Sequence, residues 1–242
     1  MKSSTALTIA IALVITSMSV ILVANNYTSD GNEMPPLEKD EQVYGIDVSH
    51  HQGEINWDKV TLWNGKRISF AYVKATEGAT FTDVNYARNI RGALDNNIPV
   101  GSYHYFRTTS PVEEQFAHFI KTVDKEEQQL IPLVDVEEKK HWDNDTFHKN
   151  FQRFLDLVEN HFGKKPIIYT VNSFYNLHLS GKYRPYHFLI GRYGDTAPNM
   201  KDNSNWTIWQ FSETGKIEGI PKKVDINVIN SKYDLQDLLL TQ

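Results

Sequence analysis

Asp135 and Glu137 stand two residues apart at the end of an apolar run, LIPLVDV, covering residues 130–136. On an extended strand alternate side chains share a face, so both acids point one way and Val136 the other. At about 3.3 Å per residue their Cα atoms lie about 6.6 Å apart. Side-chain freedom then spans the roughly 5–9 Å at which carboxyl pairs cleave glycosidic bonds. Like charges this close oppose joint ionisation, so one group keeps a proton toward neutral pH, as a general acid must. A lone D-x-E pair also serves as a helix cap or a solvated strand end. The other strand ends decide between these readings.

The elements that would position the pair are legible in the apolar pattern. Short apolar runs fall at residues 43–48, 68–75, 99–106, 130–136, 166–170, 187–193, 206–211 and 224–229. Between them, Tyr86, Ile90 and Leu94 keep helical spacing, as do Phe116, Phe119, Ile120 and Val123. A longer helix carries Phe147, Phe151, Phe154, Leu155, Val158 and Phe162, with Gly163 as its stop. Strand–helix alternation with nearly continuous apolar strands predicts a parallel sheet covered by helices. Eight strands in about 200 residues favour a closed barrel. The first five strands are expected to alternate with helices, and the last three are joined by segments too short for them. The expected fold is α/β, an irregular TIM-like barrel, and the lack of an internal repeat makes it a single domain.

Function in such barrels gathers where strands end, because the βα loops build that face. Strand one ends at Asp47, strand two at Glu77 and strand three at Tyr103, His104 and Tyr105. Strand four ends at Asp135 and Glu137, and strand five at Tyr169. The seventh carries Trp209 and Gln210, and the eighth Asp225. Acids from four strands and aromatics from three converge on one end, which points to a carbohydrate-type active site. Each residue has a plainer use. Asp47 could cap a loop, Asp225 could pair with Lys222 or Lys223, and Glu77 could pair with Lys74. Tyr103, Tyr169 and Trp209 could be barrel packing.

Composition sets the outer bounds. A net charge of −5 without a basic cluster argues against nucleic acid as partner. The chain has no cysteine, which removes disulfides, thiolate metal sites and a cysteine nucleophile. Lys2 precedes an uncharged apolar stretch from Ala6 to Ala24, read as a signal peptide or N-terminal membrane anchor over 1–24 and therefore as export. Residues 25–41 are polar, carry a proline pair and read as a flexible linker. A secreted, periplasmic or membrane-anchored protein follows, with 6–24 as a possible tether.

The motifs GIDVSHHQG, YVKATEG, GSYHYF, LVDVE, WTIWQFS and VDINV, in this order and spacing, resemble the glycoside hydrolase family 25 lysozymes. These are N-acetylmuramidases. The resemblance covers residues 43 to about 230 and makes 42–242 the catalytic domain. It implies a (β/α)5(β)3 barrel and retaining cleavage of the β-1,4 bond between N-acetylmuramic acid and N-acetylglucosamine in peptidoglycan. By motif, Glu137 matches the general acid/base, Asp135 its partner carboxylate, and Asp47 and Asp225 further acids of the cleft. Glu77, Tyr103, Tyr105, Tyr169, Trp209 and Gln210 are expected to bind substrate. Leu189 stands where the family commonly has Trp.

Because an i,i+2 pair approaches substrate from one side, Asp135 is read as assisting the substrate's own 2-acetamido group, with a covalent route as the other option. No cofactor, metal or protein partner is implied. Two rivals remain. His50, His51 and His104 near the acids could hold zinc in a metal-dependent polysaccharide deacetylase. Adjacent histidines on a strand, however, point to opposite faces, so both could bind one ion only where the loop turns. Alternatively, the domain could be a non-catalytic glycan-binding module, although binding alone does not need a like-charge pair.

Overall fold

The computed structural model describes residues 42–140 and 142–240. The segments expected as signal or anchor (1–24) and linker (25–41) lie outside them. No helix among the described residues is long and apolar enough to cross a membrane.

Ten strands run in chain order as β1 (Tyr44–Val48), β2 (Leu62–Trp63), β3 (Lys66–Glu77), β4 (Phe81–Thr82) and β5 (Val100–Tyr105), then β6 (Leu133–Asp135), β7 (Ile167–Val171), β8 (Phe188–Gly191), β9 (Ile208–Gly215) and β10 (Val224–Ile229). Eight close into a barrel in the order β1-β3-β5-β6-β7-β8-β9-β10 and back to β1. The two-residue strands β2 and β4 pair with β3 outside this ring. Seven staves are parallel, while β10 runs antiparallel to both β9 and β1. This corrects the expectation that Asp225 sits at the C-terminal end of its strand. It is the second residue of β10, and only the reversed direction brings it beside Asp47.

Three long helices flank the barrel: α1 (Tyr86–Asp95), α2 (Val112–Thr122) and α3 (Asn144–Phe162). Asp143 caps α3 by accepting from the Thr146 N–H, and Gly163 ends it in the left-handed conformation at φ 86°. The apolar stripe of α3, Phe147 to Phe162, is buried against the outward faces of the strands, with Ile46, Val73, Val134, Ile168 and Ile190 in the same layer. Each such ring contributes about 1.5–3 kcal/mol by burial. The β1–β3 connection is not helical, as the alternation predicted, but holds two 3-10 turns, His50–Gln52 and Trp57–Lys59. After β7 a short helix runs into a π turn, Tyr175–Leu179.

Inward faces fill the barrel. Phe70, Tyr72, Leu133, Ile167, Leu189, Ile208 and Ile229 form an apolar floor with Leu130, Ile131 and Leu238. Gly45 makes room for it, since a Cβ there would lie 2.4 Å from the Phe70 ring. The last residues seal this end, where Ile131 N–H donates to the Leu238 carbonyl at 2.8 Å and Leu240 N–H to that of Gln129 at 2.9 Å.

Candidate active site

Strand alternation carries the inward side chains upward from this floor to the opposite mouth. Tyr105, Asp135 and Tyr169 are register partners across β5, β6 and β7, as Asp47 and Asp225 are across β1 and β10. Asp47, Asp135, Glu137 and Asp225 together line a cavity of about 200 Å³ with Tyr72, Tyr103, Leu133, Tyr169, Leu189, Tyr193 and Gln210. Val136 points outward and is fully buried in the helix-facing layer. The i,i+2 geometry therefore holds.

Burial is the main force on these acids, and it favours their neutral forms. Asp225 is pushed up to about 8, by burial first and then by the charge of Asp47 and a hydrogen bond with it. Burial also raises Asp47, opposed by hydrogen bonds from Asn227 and Gln210. Those bonds are 2.8 Å from Asn227 Nδ2 and 2.9 Å from Gln210 Nε2, both to Asp47 Oδ2. The phenols of Tyr169 (2.9 Å) and Tyr193 (3.3 Å) donate to Gln210 Oε1, which turns the amide nitrogen toward Asp47. Asp135 is raised well above the usual carboxylate range, by burial and then by Glu137, with Lys74 opposing. Glu137 is also raised by burial, with a hydrogen bond to Asp135 pulling the other way. The four acids thus form two like-charge pairs, Asp47 with Asp225 and Asp135 with Glu137, in which burial favours the neutral forms.

Of the remaining sequence-derived site residues, Tyr103, Tyr169 and Gln210 line this cavity, while Glu77, Tyr105 and Trp209 lie outside its lining. Glu77 bonds Lys74 at 2.6 Å and Arg107 at 2.9 Å, which hold its carboxyl below the usual range despite partial burial. Tyr105 is flanked by the Lys74 ammonium and the Arg107 guanidinium, 5.2 and 4.4 Å from its ring centre. Trp209 faces outward, as a neighbour of Gln210 on one strand must, and its indole N–H donates to the Arg192 carbonyl at 2.6 Å.

The histidines do not converge with the acids. His104 points away from the barrel interior, bonds Thr76 at 2.7 Å, stacks on Phe154, and is pushed down to about 3 by burial. His50 donates from Nδ1 to buried Asp83 at 2.6 Å. His50 and His51 occupy a 3-10 turn rather than a strand, so their rings lie 4.1 Å apart instead of on opposite faces. No cluster of three or more metal-ligating side chains occurs among the described residues.

Sequence reading missed Tyr72, Leu133, Leu189, Tyr193 and Asn227 as site contributors. Asn227 was detectable, two residues from Asp225 on the same strand face. Leu133 carries no such signal, because it reads as core, whereas Leu189 was marked by standing where the family commonly has Trp.

Residues 46–220 of this chain match the family model described as glycosyl hydrolases family 25. The chain belongs to that family. It is 36% identical over 194 residues to the uncharacterized protein YegX of Escherichia coli (strain K12), covering 79% of this chain and 71% of YegX. The solved family 25 glycosyl hydrolase from Bacillus anthracis superposes with a TM-score of 0.71 at 30% identity, over 84% of this chain and 94% of that one. The bacterial lysozyme from Streptomyces coelicolor gives 0.71 at 28% identity, over 82% and 96%. As a family 25 member the chain is a glycoside hydrolase with a closed eight-stranded barrel. Its paired carboxyls suit glycosidic cleavage, which needs a proton for the leaving oxygen and a counter-charge for the sugar cation.

Proposed function

We propose that this protein is a muramidase that cuts the β-1,4 bond between N-acetylmuramic acid and N-acetylglucosamine in peptidoglycan. The observation that carries this reading is the convergence of Asp47, Asp135, Glu137 and Asp225 on one cavity. Resemblance to the Streptomyces lysozyme supplies the substrate class. Burial raises both Asp135 and Glu137, and the charge of Glu137 raises Asp135 further, so the pair favours holding a proton. Placing this proton on Glu137 would arm Glu137 as general acid for the leaving oxygen. The same placement leaves Asp135 as a carboxylate, placed to orient the 2-acetamido group as it closes on the anomeric carbon and to balance the charge that develops. Asp47 and Asp225 fix the opposite wall. Retention of configuration follows from two successive displacements.

A glycan substrate places the protein at the cell envelope, and the apolar stretch 6–24 supports export as signal or tether. Digestion of purified peptidoglycan, borohydride reduction and mass analysis of the fragments tests the bond assignment. Reduced muramic acid ends are expected. Reduced glucosamine ends would make the enzyme a glucosaminidase, and wall binding without new ends would make it a binding module.

A further inference from the structure

Glu137 lies two residues beyond β6, where the barrel ladder gives out. Beyond the bond from Val136 N–H to the Tyr169 carbonyl (3.0 Å), its segment needs other anchors. A chain of ion pairs reaches that segment from inside the barrel. Lys74, on the inward face of β3 and 7% exposed, donates to Glu77 Oε2 at 2.6 Å. Glu77 Oε1 accepts from Arg107, through Nε at 2.9 Å and through a second guanidinium nitrogen. The third nitrogen of the same fork donates to Glu138 Oε2 at 3.0 Å, and Glu138 is the residue after Glu137. Lys140 also reaches that oxygen at 3.0 Å.

Three features set this chain apart from a surface ion pair, which contributes about 0–1 kcal/mol. The acids and both inner cations are at least partly shielded, with side-chain exposures of 9, 24, 29 and 16% from Lys74 to Glu138. The base of the fork is fixed, because fully buried Gln115 accepts from the Arg107 N–H at 2.8 Å and donates to its carbonyl at 2.9 Å. Both inner cations also lie against the Tyr105 ring, Lys74 at 5.2 Å and Arg107 at 4.4 Å from its centre. A planar guanidinium gripping two carboxylates fixes direction as well as distance, which a lysine ammonium cannot do.

We propose that Lys74–Glu77–Arg107–Glu138 is a positioning relay that holds the segment carrying Glu137 against the mouth of the barrel. It rests on the reading of Glu137 as proton donor, and none of its four members touches substrate in that reading. Charge adds to geometry. Glu137 is faced by Asp135 from β6, Asp47 from β1, Asp225 from β10, Tyr105 from β5, Tyr169 from β7, Lys74 from β3 and Arg107 from the β5–α2 loop. Of these, the two relay cations lower its proton affinity by their charge, alongside the hydrogen bond with Asp135.

The test measures kcat, KM and the pH profile for release of reducing ends from purified peptidoglycan, per folded enzyme, with thermal midpoints recorded alongside. Arg107→Met is expected to lower kcat by up to about 100-fold with KM unchanged, the scale of a misplacement near 1 Å. Its alkaline limb should move to higher pH, because a cation opposing the Glu137 proton is gone. Arg107→Lys should restore the limb but only part of kcat, and Glu138→Gln should lower kcat without moving the limb. Wild-type kcat in Arg107→Lys and Glu138→Gln, or losses matched by the unfolded fraction alone, would overturn the relay. Glu137→Gln separates the two ideas. If it stays active the proton-donor reading fails, whereas if it is inactive while both conservative relay variants are wild-type, only the relay fails.

Discussion

Phe70 and Lys74 point into the same barrel from the same strand, four residues apart, and live under opposite rules. Around Phe70 everything is apolar and closed, from Gly45 beneath its ring to the Leu238 segment sealing the floor. Around Lys74 lie Glu77, Tyr105, Asp135 and Glu137, and burial favours the neutral forms of the last two. The lower layer gains stability from close packing, and the upper layer loses some by confining like charges. One sheet carries both because its strands run unbroken from floor to mouth. The polar end is held in place by the apolar one.

Substitutions can pull the two ends apart. The largest effect is expected at the mouth, where Glu137→Gln should lower turnover by about 10²–10⁴ while leaving the thermal midpoint in place, read by reducing-end release and calorimetry. At the floor, Phe70→Ala should destabilise by about 3–5 kcal/mol in denaturant titration, with turnover per folded molecule preserved. Gly45→Ala presses a methyl on the same ring and should cost about 1–3 kcal/mol without touching the acids. A floor substitution that abolished turnover in the folded state would show the ends to be coupled.

A further effect is one of pH. The Asp225 carboxyl titrates at about 8 in the folded protein and at about 3.9 when unfolded. Its contribution to stability is therefore complete below the lower value and is lost as pH rises through the upper one. The thermal midpoint should fall between about pH 5 and pH 9. In Asp225→Asn that fall should be shallower, the remainder belonging to Asp47, Asp135 and Glu137, whose shifts have the same sign. An unchanged slope would remove Asp225 from the pair.

The strand period made the Asp135–Glu137 face readable, and helical spacing marked α1, α2 and α3 from their apolar stripes. The same rule applied strictly would have separated Trp209 from Gln210, since neighbours on a strand cannot share a cavity. The direction of β10 was not legible, because an alternating pattern reads the same from either end. Glu77 looked like a substrate ligand because its second cation, Arg107, lies 30 residues away in the chain. Leu133 and Leu189 show the reverse limit, with apolar side chains that line the cavity and serve as core at once.

The reversed stave also dictates when the enzyme becomes competent. Asp47 receives its bond from Asn227 across 180 residues of chain, so β1 waits with an open edge through most of synthesis. Ring closure and assembly of the cutting site are one event. A ribosome releasing this polypeptide early would yield no hydrolase, only unpaired strands vulnerable to aggregation or proteolysis.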